Sequence, residues 1–265
     1  MGSNKRIFFG VIFDMHRLKQ KKLVVFDLDK TLAESKQPMD DEMAELVRRL
    51  LDIKKVAVIS GGSFKQFQKQ FVPKLTSGKL EHLSLFPTCG SAFYRFENGE
   101  WTNVYTEVLP IEEKANIFKA FDAMFQEYGF TIPETVHGEL IEDRETQITF
   151  SAHGSTAPLH IKETWDPDRS KRLRMIQLLK KHIPHHEIRT GGTTSIDVTR
   201  KGIDKAYGII QMERHLGISR DEIVFVGDDL GPGGNDHPVI ATGVANIEVT
   251  DPEHTKRIIR SIIEP

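Results

Sequence analysis

Cysteine is almost missing from this chain, whose 265 residues include only one, Cys89. A single thiol cannot form an internal disulfide, which excludes the small folds that disulfides hold together. It also cannot supply the cysteine pair of the common structural zinc sites. The sequence instead suits a protein that folds around a hydrophobic core in a reducing compartment, and we expect a cytoplasmic location.

The chain also lacks long apolar runs and a large excess of either charge. No apolar stretch approaches the roughly 20 residues that cross a bilayer. The formal net charge is -2, whereas a nucleic-acid binder would carry a strongly basic surface. No Gly-x-x-x-x-Gly-Lys-Ser/Thr stretch is present, so ATP hydrolysis by a P-loop is unsupported. The sequence therefore predicts neither a nucleic-acid partner nor a membrane partner.

The chain does contain a short apolar run that ends in two acids. Residues 23–26 are apolar, partly β-branched and too few for a helix, which is typical of a strand buried on both faces. Asp27 and Asp29 follow directly. Ligands of open α/β sheets bind at the carboxyl ends of the strands. There, one carboxylate could attack phosphorus and the other could move a proton, with Mg²⁺ as the expected screening cation.

Other apolar runs with polar ends recur along the chain. Residues 56–59 precede a Ser-Gly-Gly-Ser stretch at 60–63, whose hydroxyls and amides could hold a phosphate oxygen or form a simple turn. Residues 223–226 precede Asp228, and Lys205 lies near the start of a helical pattern. The strand–helix–strand order predicts an α/β fold with a Rossmann-like, doubly wound parallel sheet. Polar groups that converge at its strand ends would form one site.

The pattern changes within the middle of the chain. Half-exposed strands and amphipathic helices over residues 91–198 predict an inserted α+β cap domain, which would include a hairpin at 92–105. Residues 21–90 and 199–265 would form the catalytic core. Residues 1–20 would be an N-terminal extension, with an accessory strand or a sticky apolar segment.

These pieces resemble the haloacid dehalogenase superfamily of phosphotransferases. Residues 26–31 are similar to its first motif, Ser60 to its second and Lys205 to its third. Residues 227–229, together with 235–236, are similar to its fourth. Within the superfamily, the chain is most similar to the branch with a type IIB cap, and there to the eukaryotic-type phosphomannomutases and related sugar-phosphate phosphatases.

The resemblance implies Asp27 as the nucleophile and Asp29 as the general acid and base. Ser60 and Lys205 would hold phosphoryl oxygens. Ser63 is the alternative to Ser60, because the mutases align on their Gly-Gly-Ser. The implied metal is Mg²⁺, bound by Asp27, Asp228 and the main-chain carbonyl of Asp29. Asn235 and Asp236 would orient the metal's surroundings, and the implied substrate contacts are Thr31, Gly61, Ser63, Arg144, Ser195 and Asp197.

The cap arginines decide which reaction the sequence favours. A mutase binds phosphate at both ends of its sugar and uses arginines to grip it. Arg144 fits one expected position, but Ser155 stands near a second and Lys36 near a third. We therefore predict a Mg²⁺-dependent phosphatase that hydrolyses a sugar phosphate, or a similar small phosphorylated metabolite, through an aspartyl-phosphate.

Two alternatives stay open at this point. The first is a phosphomannomutase that interconverts hexose 6-phosphate and 1-phosphate. The second, from another class, is an inactive sugar-phosphate sensor that keeps the fold, although a sensor would not need Asp29 as a proton carrier. The mutases pair through their caps, so the resemblance also allows a homodimer formed through the cap.

Overall fold

The computed structural model describes residues 15–264 of the chain. The described end of the predicted N-terminal extension is helix α1 (Met15–Gln20), where Leu18 is buried in the same hydrophobic cluster as β-strand residues of the core. The accessory strand that we expected further upstream lies outside the described residues.

Within residues 15–264 the strands form two sheets. In chain order the strands are β1 (Leu23–Asp27), β2 (Lys55–Ile59), β3 (Leu83–Phe86), β4 (Ala92–Glu97), β5 (Glu100–Thr106), β6 (Ile141–Asp143), β7 (Ile148–Ser151), β8 (His186–Gly191), β9 (Ser195–Arg200), β10 (Ile223–Gly227) and β11 (Ala245–Glu248). The larger sheet has the order β11-β10-β1-β2-β3-β4-β5, and the smaller has the order β6-β7-β9-β8. The first five strands of the larger sheet are parallel, and β4 and β5 are antiparallel additions.

Helices cover both faces of the parallel strands. The helices after α1 are α2 (Asp41–Ile53), α3 (Phe64–Gln70), α4 (Ile111–Tyr128), α5 (Leu159–Trp165), α6 (Ser170–His182), α7 (Lys205–Leu216) and α8 (Pro252–Ile263). Val24 and Phe26 pack on the side of α2, α3 and α8. Leu23 and Val25 pack on the opposite side, against α7. This alternation follows from the period of two along a strand and confirms the predicted α/β fold.

The hairpin formed by β4 and β5 corrects one prediction. We assigned it to the cap, but β4 pairs with β3 and extends the core sheet. Core elements cover its aromatic side chains: Phe93 stacks on Phe86 with ring centroids 4.5 Å apart, and Tyr94 stacks on Phe64 at 3.7 Å. Burying these rings favours the core sheet. The cap therefore begins after β5, and its own sheet packs against α4 and α6 in a separate hydrophobic cluster.

Candidate active site

Strand register brings the polar strand ends together. Asp27 closes β1 opposite Ile59 of β2, so Ser60 follows on the next residue of the neighbouring strand. On the other side of β1, Phe26 pairs with Val226 of β10, and Asp228 lies two residues beyond. Adjacent parallel strands lie about 4.8 Å apart. The three polar side chains therefore meet at the carboxyl edge of the sheet.

Lys205 lies beneath this edge at the start of α7. Asp204 caps the helix, because its carboxylate accepts from the main-chain nitrogen of Tyr207. The Lys205 side chain is fully buried, and its Nζ donates to Asp27 Oδ1 at 2.5 Å and to Asp236 Oδ1. Burial by itself lowers the pKa of Lys205, but the two carboxylates outweigh burial and raise it. Lys205 is therefore a permanently charged anchor for the nucleophile candidate.

Three carboxylates form a candidate metal centre. Asp27, Asp228 and Asp236 each offer an oxygen within 4.8 Å of the other two. Burial, and then repulsion from Asp236, raises the pKa of Asp228 to about 7. Lys205 Nζ pairs with two of the three acids, Asp27 and Asp236, so one ammonium does not offset the negative charge of the whole cluster. Hard oxygen donors with excess negative charge are what Mg²⁺ prefers, and these residues fit it. We expected Asp236 only in the surroundings of the metal, but its carboxylate belongs to the cluster. The carboxylate of Asp29 does not belong to it, and the sequence analysis assigned only the main-chain carbonyl of Asp29 to the metal.

The cavity between core and cap collects most of the predicted residues. Asp27 lies at its base and is buried, which raises the pKa of its carboxyl well above the usual range, while Lys205 opposes the shift. The predicted residues that line the cavity are Asp27, Asp29, Ser60, Gly61, Arg144, Ser195, Asp197, Asp228 and Asn235. Segments far apart in the sequence therefore face one space, from both domains.

Two predicted contacts lie elsewhere. Thr31 is fully buried and does not line this cavity, so the structure does not bring it to a substrate. Ser63 lines a neighbouring cavity between α3 and the cap. Ser60 instead faces the central cavity, and its Oγ accepts from the main-chain nitrogen of Gly62 at 3.0 Å. That bond leaves the Ser60 hydroxyl hydrogen available for a phosphoryl oxygen, so the geometry favours Ser60 over Ser63.

Five cationic side chains line the same cavity, and three of them, Lys36, Arg144 and Lys162, affect one another's charge. Arg144 pairs with Glu142 at 2.6 Å and donates through Nη1 to the carbonyl of Gly61 at 2.8 Å. Lys36 reaches across from the core and donates to the cap carbonyl of Ser155 at 3.0 Å. Burial, and then the charge of Arg144, lowers the pKa of Lys36. Burial, and then the charge of Lys36, lowers the pKa of Lys162 to about 8. The three cations therefore lie close together, in partial shelter from water.

A glycine-rich loop at residues 191–194 completes the cap wall. Arg172 of α6 is buried, pairs with Asp166 at 2.8 Å, and donates to the Gly192 carbonyl at 2.8 Å. A Cβ at Gly191 would come within 2.3 Å of the Asp197 carboxylate, so only glycine allows this approach. Burial raises the pKa of Asp197, with Arg144 opposing. The loop thus presents main-chain groups to the cavity from a rigid support.

Comparison with known proteins gives the family. A family model for eukaryotic phosphomannomutase matches residues 43–265. The chain belongs to the eukaryotic phosphomannomutase family. A probable phosphomannomutase of Caenorhabditis elegans is 28% identical, over 92% of this chain and 96% of the relative. Phosphomannomutase 1 of Homo sapiens is 25% identical, over 94% of this chain and 95% of the relative.

Solved structures support the fold that this phosphomannomutase family member adopts. An IMP-nucleotidase of Plasmodium falciparum, truncated at its N-terminus, aligns with a TM-score of 0.70 and 17% identity, covering 94% of this chain and 72% of that one. A trehalose-6-phosphate phosphatase of Aspergillus fumigatus aligns at 0.55 and 15% identity, covering 95% and 97%. These neighbours show that the chain shares their fold. In the described part of the chain, no helix is both long and apolar enough to cross a membrane.

The sequence analysis of this phosphomannomutase family member did not identify several side chains that lie at the site. Lys162 and Arg169 come from cap segments with no recognised motif, and Arg169 pairs with Asp229 of the core at 2.7 Å. Gln66 and Gln70 of α3 contact Asp29. The spacing of the two glutamines, one helical turn apart and directly after the Ser-Gly-Gly-Ser stretch, was the available signal.

Proposed function

We propose that this chain is a Mg²⁺-dependent phosphomutase that interconverts hexose 1-phosphate and 6-phosphate. The observation that carries the proposal is the cluster of Lys36, Arg144 and Lys162 in the same cavity as Asp27. A mutase needs a second anion site facing its nucleophile, since the substrate carries phosphate at either end. The family match supports the same reading.

The core residues would transfer the phosphoryl group. Asp27 attacks phosphorus and forms a new P–O bond as the ester P–O bond breaks, and Asp29 gives a proton to the departing sugar oxygen. Lys205 holds the Asp27 carboxylate in place. Mg²⁺, held by Asp27, Asp228 and the adjacent Asp236, would supply the charge neutralisation that attack by one anion on another requires. In the return step Asp29 takes the proton from the attacking hydroxyl.

The cap residues would hold the other end of the substrate. Counting arginines favoured a phosphatase, because Ser155 stands near a position where the mutases have an arginine. The structure favours the mutase more than that count does, because Lys162 lines the same cavities as Arg144. It adds a positive charge that a count of arginines leaves out. Ser195 and Asp197 also line the cavity, and their oxygens suit sugar hydroxyls. A phosphatase stays the second candidate, favoured by Ser155.

One assay separates the candidate functions. Purified chain with Mg²⁺ and hexose 1-phosphate, with and without a sugar bisphosphate, should produce 6-phosphate faster than inorganic phosphate, and bisphosphate should stimulate it. Phosphorus NMR measures both products together. Release of inorganic phosphate without isomerisation would establish the phosphatase instead. Failure to turn over any hexose phosphate or aryl phosphate, despite binding, would point to the sensor.

The pKa of Lys162 predicts a pH dependence of substrate binding. The side chain is charged below about 8 and neutral above it, whereas the substrate phosphate is already a dianion above about 6. KM for a hexose phosphate should therefore rise as pH increases through 8. Lys162→Arg should remove this rise, because guanidinium stays charged, and Lys65→Arg at the exposed rim should not. An unchanged profile in Lys162→Arg would contradict the assignment.

Two further properties remain predictions. A homodimer through the cap is implied by the resemblance alone, and sedimentation of the full chain would test it. A cytoplasmic location is inferred from the single cysteine, and fractionation of the producing cell would test it. Neither property enters the proposed chemistry, which requires residues of one chain only.

A further inference from the structure

Asp29 is held by three neutral hydrogen-bond donors. Its Oδ1 accepts from the main-chain nitrogen of Lys36 at 2.6 Å and from Nε2 of Gln70 at 3.1 Å. Its Oδ2 accepts from Nε2 of Gln66 at 3.2 Å. The same Gln66 nitrogen donates to Oε1 of Gln70 at 2.9 Å, so the two carboxamides also fix each other. Both oxygens of the carboxylate therefore have a defined direction.

The support for this arrangement is rigid. Gln66 and Gln70 lie one turn apart on α3, so both project from one face of the helix. Gln70 is 3% exposed, and its main-chain carbonyl accepts from the nitrogen of Met39. A Cβ at Gly62 would come within 2.4 Å of Gln66 Oε1. The glycine therefore leaves the space that lets Gln66 reach Asp29.

The partners of the two candidate catalytic acids differ in kind. Asp27 accepts a hydrogen bond from the ammonium of Lys205 at 2.5 Å. Asp29 instead accepts from one main-chain amide and two carboxamides, which fix the direction of both of its oxygens. A group that passes a proton to a reacting oxygen must point at that oxygen, so hydrogen bonds that fix its direction serve this role.

We infer that Gln66 and Gln70 are positioning residues that hold Asp29 at the angle needed for proton transfer. The inference rests on the proposed role of Asp29. Proton transfer requires heavy atoms within hydrogen-bond reach and aligned, and misplacement by about 1 Å can cost about 100-fold in rate. Gln70 lies behind Asp29 and does not line the central cavity. Its effect should therefore appear in kcat and not in KM.

The test replaces the carboxamides by an unbranched apolar side chain of similar length. Gln66→Met and Gln70→Met should each lower kcat about 10-fold, and the double variant about 100-fold. KM should stay within about twofold of the parent value in Gln70→Met, whereas Gln66 lines the cavity, so kcat alone is compared for Gln66→Met. Gln68→Met is the matched control, because Gln68 lies on the same helix and is exposed. Nitrophenyl phosphate with Mg²⁺ is the probe, since its leaving group needs no acid.

The time course separates positioning from general damage. The burst of nitrophenol from phosphorylation of Asp27 should stay intact, while the later steady rate falls, since only the second step needs Asp29 to activate water. Damage to the nucleophile would remove the burst as well. In an Asp29→Asn background the glutamine changes should add no further loss, because they act through Asp29.

The possible outcomes are distinct. Turnover by the double variant within about twofold of the parent, or a further loss in the Asp29→Asn background, would overturn the positioning role. If Gln70→Met does not fold, Gln66→Met decides alone, since Gln66 is only half-buried. If the parent chain turns over no phosphate ester, the proposed function fails and the positioning role with it. An active parent with an equally active variant removes the positioning role alone.

Discussion

Asp27→Asn should abolish turnover, with kcat lower by at least about 10⁴-fold, while the chain stays folded. The amide cannot attack phosphorus. The fold should survive because Lys205 keeps its second carboxylate partner, Asp236, so no buried charge is left alone. Steady-state hydrolysis of nitrophenyl phosphate measures the first part of this expectation, and thermal unfolding measures the second.

Asp29→Asn is the informative companion variant. It keeps the nucleophile, so it should still release a burst of nitrophenol and then stall as an aspartyl-phosphate, which mass spectrometry detects as added phosphate. Asp27→Asn should show neither the burst nor the added mass. Appreciable steady turnover by Asp27→Asn would rule out a covalent intermediate on this residue.

Removal of divalent cations should lower turnover about as much as Asp27→Asn does. With a chelator in excess, turnover should fall below detection, because three carboxylates around one lysine repel an incoming phosphate. Binding should also be visible without any substrate. At a Mg²⁺ concentration of about 100 times Kd, the free energy of unfolding should rise by about 2.7 kcal/mol. Calorimetric melts with and without Mg²⁺ measure this rise.

Two aspartates that are neighbours in the sequence provide the control. Asp228 belongs to the carboxylate cluster, whereas Asp229 pairs with Arg169 of the cap. Asp228→Asn should therefore lose most of the Mg²⁺-dependent stabilisation, and Asp229→Asn should keep it. Equal stabilisation of both variants, or full turnover in chelator, would show that the cation does not bind at this cluster.

The parts of the site that the sequence could predict are those that strand geometry determines. Asp27, Ser60 and Asp228 each follow an apolar run of four or five residues, and parallel strands bring such ends to one edge. Lys205 was predicted from the resemblance to the haloacid dehalogenase superfamily, in which it matches the third motif. The periodicity of apolar residues predicts where helices and strands end, and the ends of parallel strands lie at one edge of the sheet. The positions of these residues could therefore be predicted without knowing how the cap packs.

The parts that failed depend on how the cap docks. Lys162 belongs to a short helix, and no local pattern indicates that its ammonium faces Lys36 from the core. The β4–β5 hairpin has the alternation of a half-buried strand, which does not say which sheet it joins; the aromatic partners Phe86 and Phe64 decided that. Such contacts depend on the shapes of two folded surfaces, which a single sequence does not display.

The contacts that join cap to core have a consequence for affinity. Arg144 already donates to Gly61, Lys36 to Ser155, and Arg169 pairs with Asp229. An incoming phosphate therefore exchanges one set of hydrogen bonds for another, and only the difference between the two sets appears as affinity. A ligand that binds at only one end of the cavity forms too few new hydrogen bonds to displace these contacts between cap and core. Departing product, in turn, is replaced by the protein's own acceptors, so a ligand can be recognised through many contacts and still leave quickly.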